Sequence, residues 1–166
     1  MNLDSDLRRW GRAMQVGGMV ALLLAIIQSG REVVESIAAT PFAGAGALDL
    51  IHSGLVGLVI ALPYLLLLSG LHAVARLGER YHEGEVFSLG NAILIRRFGA
   101  SLTAAAAAFM VVRPTLLDWI GGISRVFVVQ INEAVLPILV AGVFVTAIAH
   151  IMSLANRLQV ENDSFV

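Results

Sequence analysis

Four long apolar stretches constrain this chain more than any other feature. A helix needs about 20 mostly apolar residues to cross the roughly 30 Å hydrocarbon core of a bilayer. The stretch 13–30 opens on an uncharged run, Ala13 to Gln28, rich in Val, Leu and Ile. The stretch 50–75 carries no charge unless His52 or His72 is protonated, and 134–156 none unless His150 is. The remaining stretch is shorter, with an uncharged part from Phe98 to Val112. Ser88 is a suitable N-cap ahead of it, and Leu89, Ala92, Ile93, Ile95 and Phe98 supply apolar faces. Arg96 and Arg97 in this lead-in can extend their guanidinium groups to the interface. The pattern therefore predicts one helix over 88–112, ended by Arg113-Pro114 because proline cannot continue it.

Composition supports a membrane solvent. Hydrophobic residues make up 58% of the 166 residues, against about 45–50% in ordinary globular chains. A chain this short has too much surface to bury such an excess in one soluble core. The expected fold class is an all-α membrane protein, a single four-transmembrane-helix bundle spanning 1–166.

Charge placement sets the expected orientation. All 11 basic residues are arginine. Arg8, Arg9, Arg12, Arg76, Arg80, Arg96, Arg97 and Arg157 fall on one side of the four spans, and Arg31, Arg113 and Arg125 on the other. Arginine-rich loops stay in the cytoplasm, so both termini and the middle loop are expected inside. The use of arginine without lysine points to a GC-rich coding sequence and so to a bacterial cytoplasmic (inner) membrane. Trp10 and Trp119 are placed as inner and outer interfacial anchors. The basic start followed by an apolar run has the outline of a signal peptide, with small residues Ala43 to Ala47 as a cleavage region. The twin arginines lack the rest of an export motif, so a retained helix is expected.

Several function classes lose support at this point. A net charge of -1 gives no electrostatic case for direct nucleic-acid binding. Cysteine is absent, which removes disulfides and thiolate chemistry. No phosphate-cradling glycine loop, H-E-x-x-H motif or nucleophile–base pattern occurs. The expectation is no enzyme, no cofactor and no metal. His72, His82 and His150 have no metal-like spacing. On the outer side, Glu32, Glu35 and Asp49 form an acidic group, with Asp49 and His52 on one helical face. A solvated rim is the plainer reading of these carboxylates, and a cation site the sharper one. No carboxylate falls at the centre of a predicted span, which counts against proton-coupled transport.

Gly99, Ala100, Ala104 and Ala108 mark the third span as a packing helix, since small residues let backbones approach closely in lipid. Packing within the bundle is the plainer reading, and a homo-oligomer contact the alternative. Pro63 is expected to kink the second span. The segment 116–131, interrupted by Gly121-Gly122 and made apolar by Phe127, Val128, Val129 and Ile131, reads either as surface-lying or as an outward extension of the fourth helix.

The inner loop reads Gly84-Glu85-Val86-Phe87-Ser88, then Asn91-Ala92, then Arg96-Arg97-Phe98-Gly99, and the tail runs from Ala155 through Glu161-Asn162-Asp163 to Ser164-Phe165-Val166. From the second span onward this layout resembles the small bacterial membrane family catalogued as domain of unknown function 2975. That family has four helices, a G-x-x-F loop before the third and an acidic, amide-rich tail. The tail here departs from the commoner Leu-Thr-Val ending. The resemblance implies a cytoplasmic partner, a small helix-turn-helix transcription regulator. Gly84, Phe87, Asn91, Arg96, Arg97, Glu161, Asn162 and Phe165 are the candidate docking residues. The expected function is a non-enzymatic membrane sensor or anchor that binds a regulatory partner. A small oligomeric transporter or channel, or an accessory subunit of a membrane complex, is the alternative.

Overall fold

The computed structural model describes residues 3–38, 46–83 and 88–163. Among the described residues every regular element is helical: α1 (Leu3–Ala38), α2 (Ala47–His82), α3 (Leu89–Ala107), a π-turn (Ala108–Val112), α4 (Arg113–Ile120) and α5 (Leu136–Asp163). Four helical stretches are long and apolar enough to cross a membrane: Arg9–Glu35, Ala47–His82, Leu89–Ile120 and Leu136–Leu158. This is consistent with a multi-pass membrane protein.

The four stretches stand in chain order. Among the described helices, α1 packs mainly on α2 and α5 on α3, while α2 and α3 join the two pairs. The helical bundle is thus an open row, with α1 and α5 at its flanks. Burial follows this order. Only 6% of the apolar window of α1 and 11% of that of α5 are buried, against 33% in α2 and in the α3 stretch. Val20, Leu24 and Ile27 on α1, and Val143, Phe144 and Ile151 on α5, are all exposed. Helices apolar around their whole circumference are at home in lipid, not in water.

Glycines set close backbone contacts in both helix pairs. On α1 and α2, Gly11 lies against Gly78: a Cβ on Gly11 would stand 2.9 Å from the Gly78 carbonyl oxygen and 2.8 Å from the His82 nitrogen. On α3 and α5, Gly99 lies against Gly142 and Thr146 in the same way. Thr103 and Thr146 each donate a hydroxyl to the carbonyl four residues back, Gly99 at 3.0 Å and Gly142 at 2.8 Å. The hydroxyls are thereby satisfied inside their own helices and do not hold the helices apart. The backbones approach through these notches. Between α2 and α3, Ser69 and Ser101 share a hydrogen bond at 2.9 Å beside Gly70.

The cap expected at Ser88 is present, its Oγ accepting the Asn91 N–H at 3.2 Å. The expected stop at Pro114 is not. The helical path runs on through a π-turn to Ile120, making a 32-residue stretch. Proline removes the N–H that would bond the carbonyl four residues earlier, here that of Met110. The backbone N–H of Gln130 supplies the replacement at 2.8 Å. The segment 123–135 is correspondingly not an extension of α5. After a turn at Gly122 (φ 68°) it descends along α4 as a non-helical strap, and α5 begins at Leu136. Thr115 fastens the strap twice: its Oγ1 donates to the Val128 carbonyl and accepts the Val128 N–H, both at 3.0 Å. Trp119 adds an Nε1–H bond to the Val126 carbonyl (3.4 Å) and an edge contact with Phe127.

Candidate functional sites at the two ends of the helix row

The arginine-rich end carries the residues singled out for docking. The start of α3 and the tail of α5 meet there around a cleft of about 310 Å³ lined by Leu89, Asn156, Arg157 and Glu161. Glu161 and Asn162 are exposed on α5, and Arg96 and Arg97 are exposed on α3. Asn91 does not belong with them: it is fully buried, at 0% exposure, so its side chain serves the packing of the α3 start. Gly84, Phe87 and Phe165 lie outside the described residues. The guanidinium of Arg80 rests against Gly90, which ties the end of α2 to the start of α3.

The packing face of α3 is rotated from the one expected. Gly99 and Ala108 are buried, but Ala100 and Ala104 are exposed. The cause lies in the sequence of α5. Gly142 and Thr146 present a notch that fits Gly99 and Thr103, so α5 docks there and leaves the alanines on an open face.

At the opposite end the expected acidic group is divided. Glu35 pairs with Arg31 at 3.3 Å on the surface. Asp49 turns back to accept the Gly46 N–H at 2.9 Å, closing the start of α2. Glu32 faces inward instead. Its Oε1 accepts the hydroxyl of Tyr64 from α2, and its Oε2 lies 3.1 Å from Nη1 of Arg113 at the start of α4. The arginine also sits over the Phe109 ring, 5.7 Å from its centre, and that ring meets Tyr64 edge-on at 5.1 Å. Three neighbouring helical stretches are thus joined by one polar cluster beside the π-turn. The cluster borders a cavity of about 380 Å³ to which Arg113, Asp118, Gln130 and Asn132 contribute polar groups. Among the described residues no three His, Asp or Glu side chains gather as a metal site.

No protein-family model, curated protein or solved structure matches this chain.

The sequence alone does not mark Tyr64, Phe109 and Arg113 as partners of Glu32. Phe109 and Arg113 lie four apart and flank the run that Pro114 distorts, a spacing that hints at one shared face. The pairing of either with Glu32 depends on the order of the helices, which periodicity does not encode.

Proposed function

We propose that this chain is a non-enzymatic membrane sensor or anchor of a bacterial inner membrane, whose cytoplasmic face binds a regulatory partner. One observation carries the reading: the start of α3 and the tail of α5, distant in sequence, converge on the cleft of Leu89, Asn156, Arg157 and Glu161. Arginine enrichment at this end favours a cytoplasmic location. The resemblance of the loop and tail to domain of unknown function 2975 favours a small helix-turn-helix regulator as the partner class. Affinity capture of the full chain from native membranes tests this. A regulator should co-purify with the parent chain and be lost with Arg157→Glu and Glu161→Lys, both exposed positions. Retention of every partner by both variants removes the docking cleft from consideration.

A second reading, a small transporter or channel, draws on Glu32. An ionisable residue packed within apolar helical stretches is a functional signal by default, and π-turns are frequent at functional sites. Proteoliposome flux that disappears in Glu32→Gln while the protein stays folded favours transport over anchoring.

A further inference from the structure

Two grooves run side by side along the open face of α3, separated by a low ridge of Ala100 and Ala104. One, between α2 and α3, has a volume of about 500 Å³ and includes Leu66, Ser69, His72, Arg97 and Ser101. The other, between α3 and α5, has about 650 Å³ and includes Arg96, Thr103, Ala107, Thr146, Ala147 and His150. Each groove carries one arginine and one histidine, and all four of these side chains are exposed. Beyond them the grooves are apolar in effect. The hydroxyls of Thr103 and Thr146 are tied to the carbonyls of Gly99 and Gly142, and that of Ser69 to Leu66 and Ser101.

We propose that this face seats one anionic phospholipid, with an acyl chain in each groove and its phosphate at Arg96 and Arg97. The dimensions fit. From Arg96 to Ala107 the helix advances about 16 Å, close to half of the roughly 30 Å hydrocarbon thickness, the depth of one leaflet. The charges fit as well. Among the described residues neither Arg96 nor Arg97 has a carboxylate partner; the ion pairs there are Arg31–Glu35 and Arg113–Glu32. Guanidinium groups bind phosphate through two parallel N–H bonds, and basic pockets between membrane helices select anionic headgroups. The alanine methyls are what make room: a larger side chain at Ala104, which lines both grooves, fills them together.

The inference goes beyond partner docking, because Ala104 lies inside the apolar stretch and outside the Leu89–Glu161 cleft. The test is native mass spectrometry of the full chain in mixed micelles containing phosphatidylglycerol or phosphatidylcholine with identical acyl chains. The parent should retain one phosphatidylglycerol with at least about tenfold preference. Arg96→Ala/Arg97→Ala should abolish the preference. Ala104→Leu, at an exposed position that leaves the Gly99–Gly142 contact intact, should abolish retention of either lipid while the helical fold persists. Glycerol 3-phosphate, which has the phosphate but no chains, should not compete. Equal retention of the two lipids, unchanged retention in Ala104→Leu, or a second copy of the chain held on this face in place of lipid each overturns the proposal.

Discussion

Gly99 of α3 and Gly142 of α5 meet so closely that a Cβ on Gly99 would stand 2.8 Å from the carbonyl oxygen of Gly142, and one on Gly142 would stand 2.9 Å from that of Gly99. Beside the Thr146 and Thr103 hydroxyls, the obstructing atoms are backbone, so a rotamer change does not relieve the contact. Because α5 packs on no other helix among the described residues, Gly99→Ala or Gly142→Ala should loosen the whole of α5. Overpacking of this kind costs about 1–3 kcal/mol. Unfolding in detergent should register that loss, whereas Ala100→Ser on the open face should stay within about 0.5 kcal/mol of the parent. Equal stability of all three variants contradicts the close approach.

The Glu32–Arg113 pair should behave as a coupled unit. The two side chains are 25% and 28% exposed, so solvent screens part of the attraction and a coupling of about 1 kcal/mol is expected. Glu32→Gln, Arg113→Ala and the double variant close the thermodynamic cycle. Arg113→Ala alone should cost more than the double variant does, since among the described residues it leaves the Glu32 carboxylate with the neutral Tyr64 hydroxyl as its donor. Strictly additive effects rule out the ion pair.

Thr115→Val tests the strap. Thr115 is 3% exposed, and its hydroxyl serves both the N–H and the carbonyl of Val128. The isosteric valine leaves both groups without that partner, at a local cost of about 1–3 kcal/mol. Hydrogen exchange across 124–130 should accelerate about tenfold or more, while α1 and α2 keep their protection. Uniform acceleration along the chain points to global destabilisation and against a locally fastened strap.

The four apolar helical stretches were legible because the bilayer demands length and hydropathy, and both are local properties of sequence. Ser88 was legible because a cap is a local hydrogen bond. What escaped depends on neighbours. Gly99-x-x-x-Thr103 on α3 reads as a packing notch only beside Gly142-x-x-x-Thr146 on α5, and Ala100 and Ala104 of the alanine repeat lie on the face that α5 leaves open. Likewise Pro114 is a helix stop by its own chemistry. It becomes tolerable only because Gln130, from beyond the turn, bonds the carbonyl of Met110. Glu32 looked like part of a solvated rim because its partners Tyr64 and Arg113 come from other helices.

Pro114 links these features, and its replacement should separate local from global effects. Alanine at 114 restores an N–H, which competes with Gln130 for the Met110 carbonyl. It also removes a residue that costs about 3 kcal/mol in a helix interior. The π-turn over Ala108–Val112 should then tighten toward α-geometry. Closing up the extra residue turns everything after it by about 100°, carrying Arg113 away from Glu32 and Thr115 away from Val128. Two readouts should move in opposite directions. Resistance of the helices to global unfolding should hold or rise, while hydrogen exchange in 124–130 accelerates and the Glu32–Arg113 coupling falls toward zero. If Pro114→Ala leaves both the strap protection and the coupling at parent values, the proline is a passenger in a bend fixed by other contacts. A fall in global stability together with a loosened strap would mean instead that the π-turn is the favoured geometry of this stretch whatever occupies position 114.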